Sequence, residues 1–195
     1  MEAIEETIRR IQSGEIYLFA NIVNEYQQRI YIYCLRLLRN EDEAEDAVQD
    51  IMLKVFEKIK SYHPKVTFTS WMYKVAYNHC LNLLRKRRIR QQFNWLFRQE
   101  VTAESAEQSV VKKMVSEPVA DALSMLTTEE RNLLILRVFE EKTFEEIGEI
   151  LGKSMDAVTK KYGRVRQKMK NTMEIRGESH ARKSINLGGA APKEI

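Results

Sequence analysis

Phe68, Trp71, Tyr73 and Tyr77 precede Arg85-Lys86-Arg87-Arg88-Ile89-Arg90, in which five of six residues are cationic. Aromatic rings beside a cationic track suit single-stranded nucleic acid, because bases stack on rings while cations follow the phosphates. Packing is the competing reading. Phe68 and Trp71 have core spacing, and Trp71 is read first as a packed residue. Tyr73, Tyr77, Asn78 and Asn82 fall off that stripe and are expected at the surface.

A second constellation spans residues 144–170. Thr143 with Glu146 forms a capping pair, a short apolar helix follows, and Gly152-Lys153-Ser154 makes a tight turn. The helix capped by Ser154 then carries Lys160, Lys161, Arg164, Arg166, Lys168 and Lys170. Two helices joined this way form a helix-turn-helix, with Ile147, Leu151 and Val158 at the crossing. Its second helix suits the major groove: cations neutralise phosphates, and residues near the helix start reach base edges. The bland alternative is a solvated cationic helix in an ordinary bundle, which leaves the coincidence of cap, turn and charge unexplained.

The third constellation is acidic. Six of the ten residues 41–50 are Asp or Glu, on an amphipathic helix that Asn40 caps. No His joins them and no ligand spacing fits, so no metal site is expected. A solvated face is the default, and docking of a basic partner protein is the alternative. His63, His79 and His180 are scattered and are read as loop or surface residues. There is no phosphate loop, HExxH or GxSxG motif, and no catalytic set.

The elements that position these residues are helical. Stripes at helical spacing run through Ile4-Ile8-Ile11, then Ile16 to Leu37, then Ala44 to Ile59, and a further helix spans about 69–90. Pro64 breaks the chain into a loop over 61–68. Ser116-Glu117-Pro118 opens a helix, and Thr127 with Glu130 starts another. Three Pro and seven Gly in 195 residues disfavour an all-β fold. The expectation is an all-α protein of two small helical domains, 1–92 and 117–176, joined by a flexible linker, 93–116, with a disordered tail, 177–195. The net charge of +4 resolves into −6, +9, −6 and +7 over residues 1–50, 51–100, 101–150 and 151–195. Each domain thus runs from acidic to cationic. No apolar run is long enough to span a bilayer, and the first ten residues lack a secretion pattern. Cys34 and Cys80 are read as buried free thiols in a reducing compartment, with a disulfide as the minority option.

In combination these features resemble the extracytoplasmic-function (ECF) group of bacterial RNA polymerase sigma factors. The resemblance rests on 43–50 (EAEDAVQD), 68–78 (FTSWMYKVAYN) and the basic run. It rests equally on Leu126, Arg131, Leu136-Arg137, Glu146-Ile147-Gly148, Leu151-Gly152-Lys153-Ser154 and residues 158–166. It implies a cytoplasmic, non-enzymatic subunit without cofactors that binds core RNA polymerase through Glu45, Asp46, Gln49, Asp50 and Leu53. It implies that His63, Lys65, Phe68, Trp71, Tyr73, Lys74, Tyr77, Asn78, Asn82, Arg85 and Arg88 capture the melted minus-ten strand. Ser154, Asp156, Ala157, Thr159, Lys160, Lys161, Arg164 and Arg166 would read the minus-thirty-five duplex. An anti-sigma factor is the further partner implied.

Departures from the family pattern include Tyr77 for a frequent Arg, Asn82 for Asp and Thr127 for Pro. Gly148 stands for Ala, Asp156 for Gly and Thr159 for Lys, so base preference does not transfer. The rival reading is a free-standing helix-turn-helix regulator, which predicts a dimer and palindromic half-sites. An RNA-binding adaptor would account for the basic run alone.

Overall fold

A computed structural model describes residues 2–63, 67–96 and 123–187, and the regular elements among them are all helical. Helices α1 (Glu2–Gln12), α2 (Phe19–Leu38), α3 (Glu41–Lys58) and α4 (Phe68–Leu96) form the first unit. Helices α5 (Thr128–Leu134), α6 (Phe144–Leu151) and α7 (Met155–Leu187) form the second. This is the expected all-α class with two helical units.

Local chemistry sets the first hairpin. Arg39 takes a left-handed conformation at φ 60° and closes α2, its N–H reaching Leu35 O at 2.8 Å. Asn40 then starts α3 by accepting from Glu43 N at 2.8 Å. With so short a turn the two helices must run antiparallel. Ile22, Tyr26, Ile30, Tyr33 and Leu37 on α2 bury against Ala44, Ala47, Ile51 and Val55 on α3. The two alanines let the backbones approach. Each large apolar side chain so buried contributes about 1.5–3 kcal/mol.

Helix α1 fastens the connection between α3 and α4 from both sides. Gln12 donates to Ile59 O at 2.8 Å and to Tyr62 O at 2.9 Å. Glu5 accepts from Tyr62 OH at 3.1 Å and from Phe68 N at 3.3 Å, where α4 begins. Residues 64–66 and the expected helix start at 116–118 lie outside the described residues.

In the second unit, Thr127 with Glu130 and Thr143 with Glu146 both form reciprocal capping boxes. Helix α5 runs on into a π turn over Ile135–Phe139. Helix α4 extends past the expected boundary at residue 92, and α7 continues past Arg176 to Leu187. Residues 177–187 of the expected disordered tail are thus helical, since lengthening an existing helix needs no new nucleus. Residues 97–116 of the expected linker and 188–195 of the tail lie outside the described residues.

The two units touch. Helix α4 packs on α6, and the Tyr33 hydroxyl donates to Asn132 Oδ1 at 2.6 Å with both residues buried. Cys34 and Cys80 are buried free thiols with sulfurs 3.6 Å apart. The hydrogen bond shared with Cys80, then burial, push the Cys34 thiol well up, which makes it unreactive.

Candidate nucleic-acid interface

One turn after another, α4 presents Trp71, Lys74, Asn78 and Asn82 along one edge, and α3 faces them with Lys54 and Lys58. Together with Val75 and His79 they line a cleft of about 310 Å³. The Trp71 ring is half-buried, tilted against Tyr62 at 5.2 Å and Phe68 at 5.6 Å, and so held rigidly at the cleft wall. A rigid indole, three ammonium groups and two exposed amides are groups that can stack on a base, pair with phosphates and hydrogen-bond a base edge. The expected residues Trp71, Lys74, Asn78 and Asn82 are therefore together.

Other expected strand contacts are not at the surface. Phe68 is 1% exposed, Tyr73 4% and Tyr77 8%, which corrects the surface reading of the two tyrosines. Tyr73 donates to Glu140 of the second unit, whose carboxylate, after burial, pushes the phenol far up. Burial likewise raises the Tyr77 phenol. Helical spacing showed that the pair leaves the Trp71 stripe; it could not show that a second unit covers them. His63 is exposed beside the connection, with Nδ1 2.8 Å from Ser61 O, and Arg85 and Arg88 are exposed farther along α4. Lys65 lies outside the described residues.

His79 is a second correction, because it is buried rather than a surface residue. Its Nδ1 lies within hydrogen-bond reach of Lys54 Nζ, so Nε2 carries the ring proton. That nitrogen sits 3.7 Å from Asp50 Oδ2 without a hydrogen bond. Burial first, then the Lys54 ammonium, hold the pKa below the usual histidine value, while Asp50 pulls it up. Lys54 and Lys58 were missing from the sequence reading. Their signal was the switch from acid to lysine along α3 after Asp50, at helical spacing.

The outer face of α3 carries Glu45, Asp46, Gln49, Asp50 and Leu53, all exposed, with Leu53 62% accessible. Phe56 continues this face and stands edge-on to Phe19 at 5.0 Å. Acid flanking an exposed Leu and Phe fits a docking surface better than a purely solvated face.

In the second unit Ile147 and Val158 are buried where α6 crosses α7, and Gly152 turns the chain at φ 65°. Lys153 N reaches Gly148 O at 2.9 Å. A Cβ on Gly148 would lie 2.6 Å from Lys153 O, so a side chain there would collide with the turn. Ser154 Oγ accepts from Ala157 N at 3.3 Å and caps α7. Asp156, Ala157, Thr159, Lys160 and Arg164 are exposed on one face.

Two expected cations, Lys161 and Lys168, are drawn to carboxylates. Lys161 turns inward to Glu129 Oε1 at 2.6 Å, which Lys153 also reaches, while Lys168 pairs with Glu130 at 3.1 Å. Burial opposes the charge on Glu129, but hydrogen bonds from Lys153 and Lys161 outweigh it and hold the carboxyl below its usual range. Arg166 is exposed and lines a groove with Leu134, Met169 and Lys170.

Residues 22–90 match sigma-70 region 2, and residues 116–169 match sigma-70 region 4. The cleft lies in the first match and the helix-turn-helix in the second. The chain belongs to the ECF sigma factors. It is 26% identical over 180 residues to the ECF sigma factor SigW of Bacillus subtilis, covering 87% of this chain and 96% of that one. It is 29% identical to the sigma factor YlaC of the same organism, covering 78% and 90%. Among solved structures, CnrH in complex with the cytosolic domain of CnrY superposes with a TM-score of 0.66 at 20% identity, covering 87% and 96%. The sigma factor RpoE with the anti-sigma factor NepR from Bartonella quintana gives 0.63 at 20% identity, covering 80% and 97%.

Among the described residues of this sigma factor, no cluster of His, Cys, Asp or Glu could hold a metal, and no helix is long and apolar enough to cross a membrane.

Proposed function

We propose that this sigma factor binds core RNA polymerase and directs promoter-specific initiation, reading two DNA elements with its two units. The acidic face of α3, Glu45 to Leu53, docks a basic polymerase surface. The cleft between α3 and α4 takes a base of the melted minus-ten strand against Trp71, with Lys54, Lys58 and Lys74 on the phosphates. Asn78 and Asn82 hydrogen-bond the base edge. His63, Lys65, Arg85 and Arg88 extend the contact along the strand. The exposed start of α7, from Ser154 to Arg164, reads the minus-thirty-five duplex. The observation that carries this reading is the cleft, which joins a rigid indole to three lysines from two helices.

The mechanism follows from differential binding. An unstacked base fits the cleft and a paired one does not, so binding there favours the melted promoter. The duplex contact of α7 supplies position and register. Bond making belongs to the polymerase, and the sigma factor acts in the cytoplasm without a cofactor. An anti-sigma protein is the natural antagonist, a proposal supported by the solved relative bound to one.

Run-off transcription with purified core polymerase and a promoter library tests the proposal. The expected result is initiation from an asymmetric two-part promoter. A chain that neither binds core nor directs initiation anywhere overturns it, and tight binding of a palindrome as a dimer would favour the free-standing regulator.

A further inference from the structure

Asp50 and Lys54 stand one turn apart on α3, a spacing that ordinarily gives a direct ion pair on a helix surface. Among the described residues no ion pair joins them. The Lys54 ammonium instead reaches across to α4 and donates to Nδ1 of His79. Asp50 stays exposed, with its Oδ2 3.7 Å from Nε2 of the same ring. His79 is 8% exposed, and its Nε2 has no hydrogen-bond partner among the described residues. A buried imidazole with an orphaned N–H costs stability, so packing alone does not account for it.

The bond fixes where an ammonium goes. Lys54 and His79 line the same cleft as Trp71, Lys58 and Lys74, so the ammonium held by the ring is at the cleft wall rather than beside Asp50. An ammonium has three donors; His79 takes one and leaves two for an acceptor in the cleft. The ring can do this only while neutral, with its lone pair on Nδ1. Burial first, then Lys54 itself, keep it neutral against the pull of Asp50, whose charge favours the tautomer with the proton on Nε2. Lys58 and Lys74 are exposed, so Lys54 is the one of the three cleft lysines that is half-buried. A lysine already held in place loses less rotamer freedom on binding.

We propose that His79 is a positioning residue for strand binding: it diverts Lys54 from the Asp50 pair and holds the ammonium in the cleft, where it meets a phosphate of the strand. The inference rests on the reading of the cleft as the minus-ten strand site. Without the imidazole acceptor, Lys54 falls back to the carboxylate one turn away. Its charge is then neutralised within α3, and one phosphate contact is lost.

The test uses the full chain, a labelled minus-ten single strand and fluorescence anisotropy over a range of salt. His79→Leu should weaken binding at least about threefold in low salt and reduce the salt slope by about 1, as Lys54→Ala should. Its melting temperature should hold or rise, because the orphaned Nε2 is gone, so binding and stability part company. His79→Asn, whose amide oxygen can accept from Lys54 in place of Nδ1, should keep most of the wild-type slope. Adding His79→Leu to Lys54→Ala should change binding no further, since the imidazole acts through the lysine. Four outcomes each overturn the inference: an unchanged slope in His79→Leu, a loss that only follows a fall in melting temperature, a His79→Asn chain no better than His79→Leu, or a further loss on top of Lys54→Ala. In all four, Lys58→Ala and Lys74→Ala still report on the strand path. A wild-type chain that binds no single strand overturns both.

Discussion

The Tyr33 hydroxyl, on the second helix of the first unit, donates at 2.6 Å to Asn132 Oδ1 of the second unit, and both residues are fully buried. Asn132 Nδ2 has no hydrogen-bond partner, so this bond is the one that satisfies the amide. Burial pushes the Tyr33 phenol well up, so it stays a donor at any working pH. Tyr33→Phe strands the carbonyl and should weaken the packing of the two units by about 1–3 kcal/mol. Removing both partners, Tyr33→Phe with Asn132→Leu, should recover most of that, since neither side then buries an unpaired polar atom. Interdomain distance against mild urea reads both variants. Equal opening in the single and double variants would show that the bond itself is not what matters.

Gly148 and Gly163 make an internal control for backbone space. A Cβ on Gly148 meets the Lys153 carbonyl at 2.6 Å, and that carbonyl belongs to the helix-turn-helix turn. Gly148→Ala should therefore cost about 1–3 kcal/mol and spoil duplex binding. A Cβ on Gly163, in the middle of α7, meets nothing within 4 Å. Gly163→Ala should stabilise by about 0.5–1 kcal/mol. Thermal melts of the two variants should move in opposite directions; a stable Gly148→Ala chain would mean the turn can widen.

Chemistry acting over three or four residues was readable from sequence. The caps at Asn40, Thr127, Thr143 and Ser154 and the turn at Gly152 are contacts between near neighbours, so residue type and spacing suffice. Apolar periodicity likewise placed Ile147 and Val158 at a helix crossing. What periodicity could not supply was the partner of each face. Tyr73 and Tyr77 are off the Trp71 stripe, yet the stripe that looked solvated is the one the second unit covers. Lys161 and Arg166 share a helix with Lys160, but one is drawn to Glu129 and the other faces Leu134. His79 is buried where α4 packs on α3 and meets Lys54, twenty-five positions away, and no local pattern encodes that distance.

The carboxylates of the second unit predict its acid limb. Glu129, Glu130 and Glu146 all resist burial through lysine and capping hydrogen bonds and sit below the ordinary value of 4.5. A depressed carboxyl contributes stability above its unfolded pKa and loses it as pH falls through the folded one. The second unit should therefore hold its melting temperature down to about pH 4.5 and lose it below. Glu129→Gln should flatten that fall while lowering the plateau, because Lys153 and Lys161 lose their shared anion. His79 adds an earlier effect in the first unit: the unfolded chain takes up its proton below 6.5 before the folded one does, so stability begins to decline there. His79→Asn should remove that early decline.

Within the cleft, lysines and amides should separate by salt dependence. Lys58→Ala and Lys74→Ala should each weaken single-strand binding across all sequences and reduce the salt slope by about 1. Asn78→Ala should leave the slope alone and relax preference at one base. Fluorescence anisotropy with minus-ten oligonucleotides at several salt concentrations distinguishes these. A flat response to both lysine changes would remove the cleft from the strand path.

Asp156 is the acid on an otherwise cationic reading face, exposed one helical turn before exposed Lys160. Its carboxylate accepts hydrogen bonds and donates none, so in the major groove it suits the amino group of cytosine, whereas Lys160 suits guanine O6 and N7. Asp156→Ala should lose discrimination at one base pair of the minus-thirty-five element by about 1–3 kcal/mol, with binding to non-specific duplex unchanged or tighter once a negative charge is gone. Lys160→Ala should lose both discrimination at a neighbouring pair and part of the salt slope. The alternative is that Asp156 only complements the helix dipole at the start of α7. In that case Asp156→Ala lowers the melting temperature and weakens every duplex alike, without any change in the preferred base.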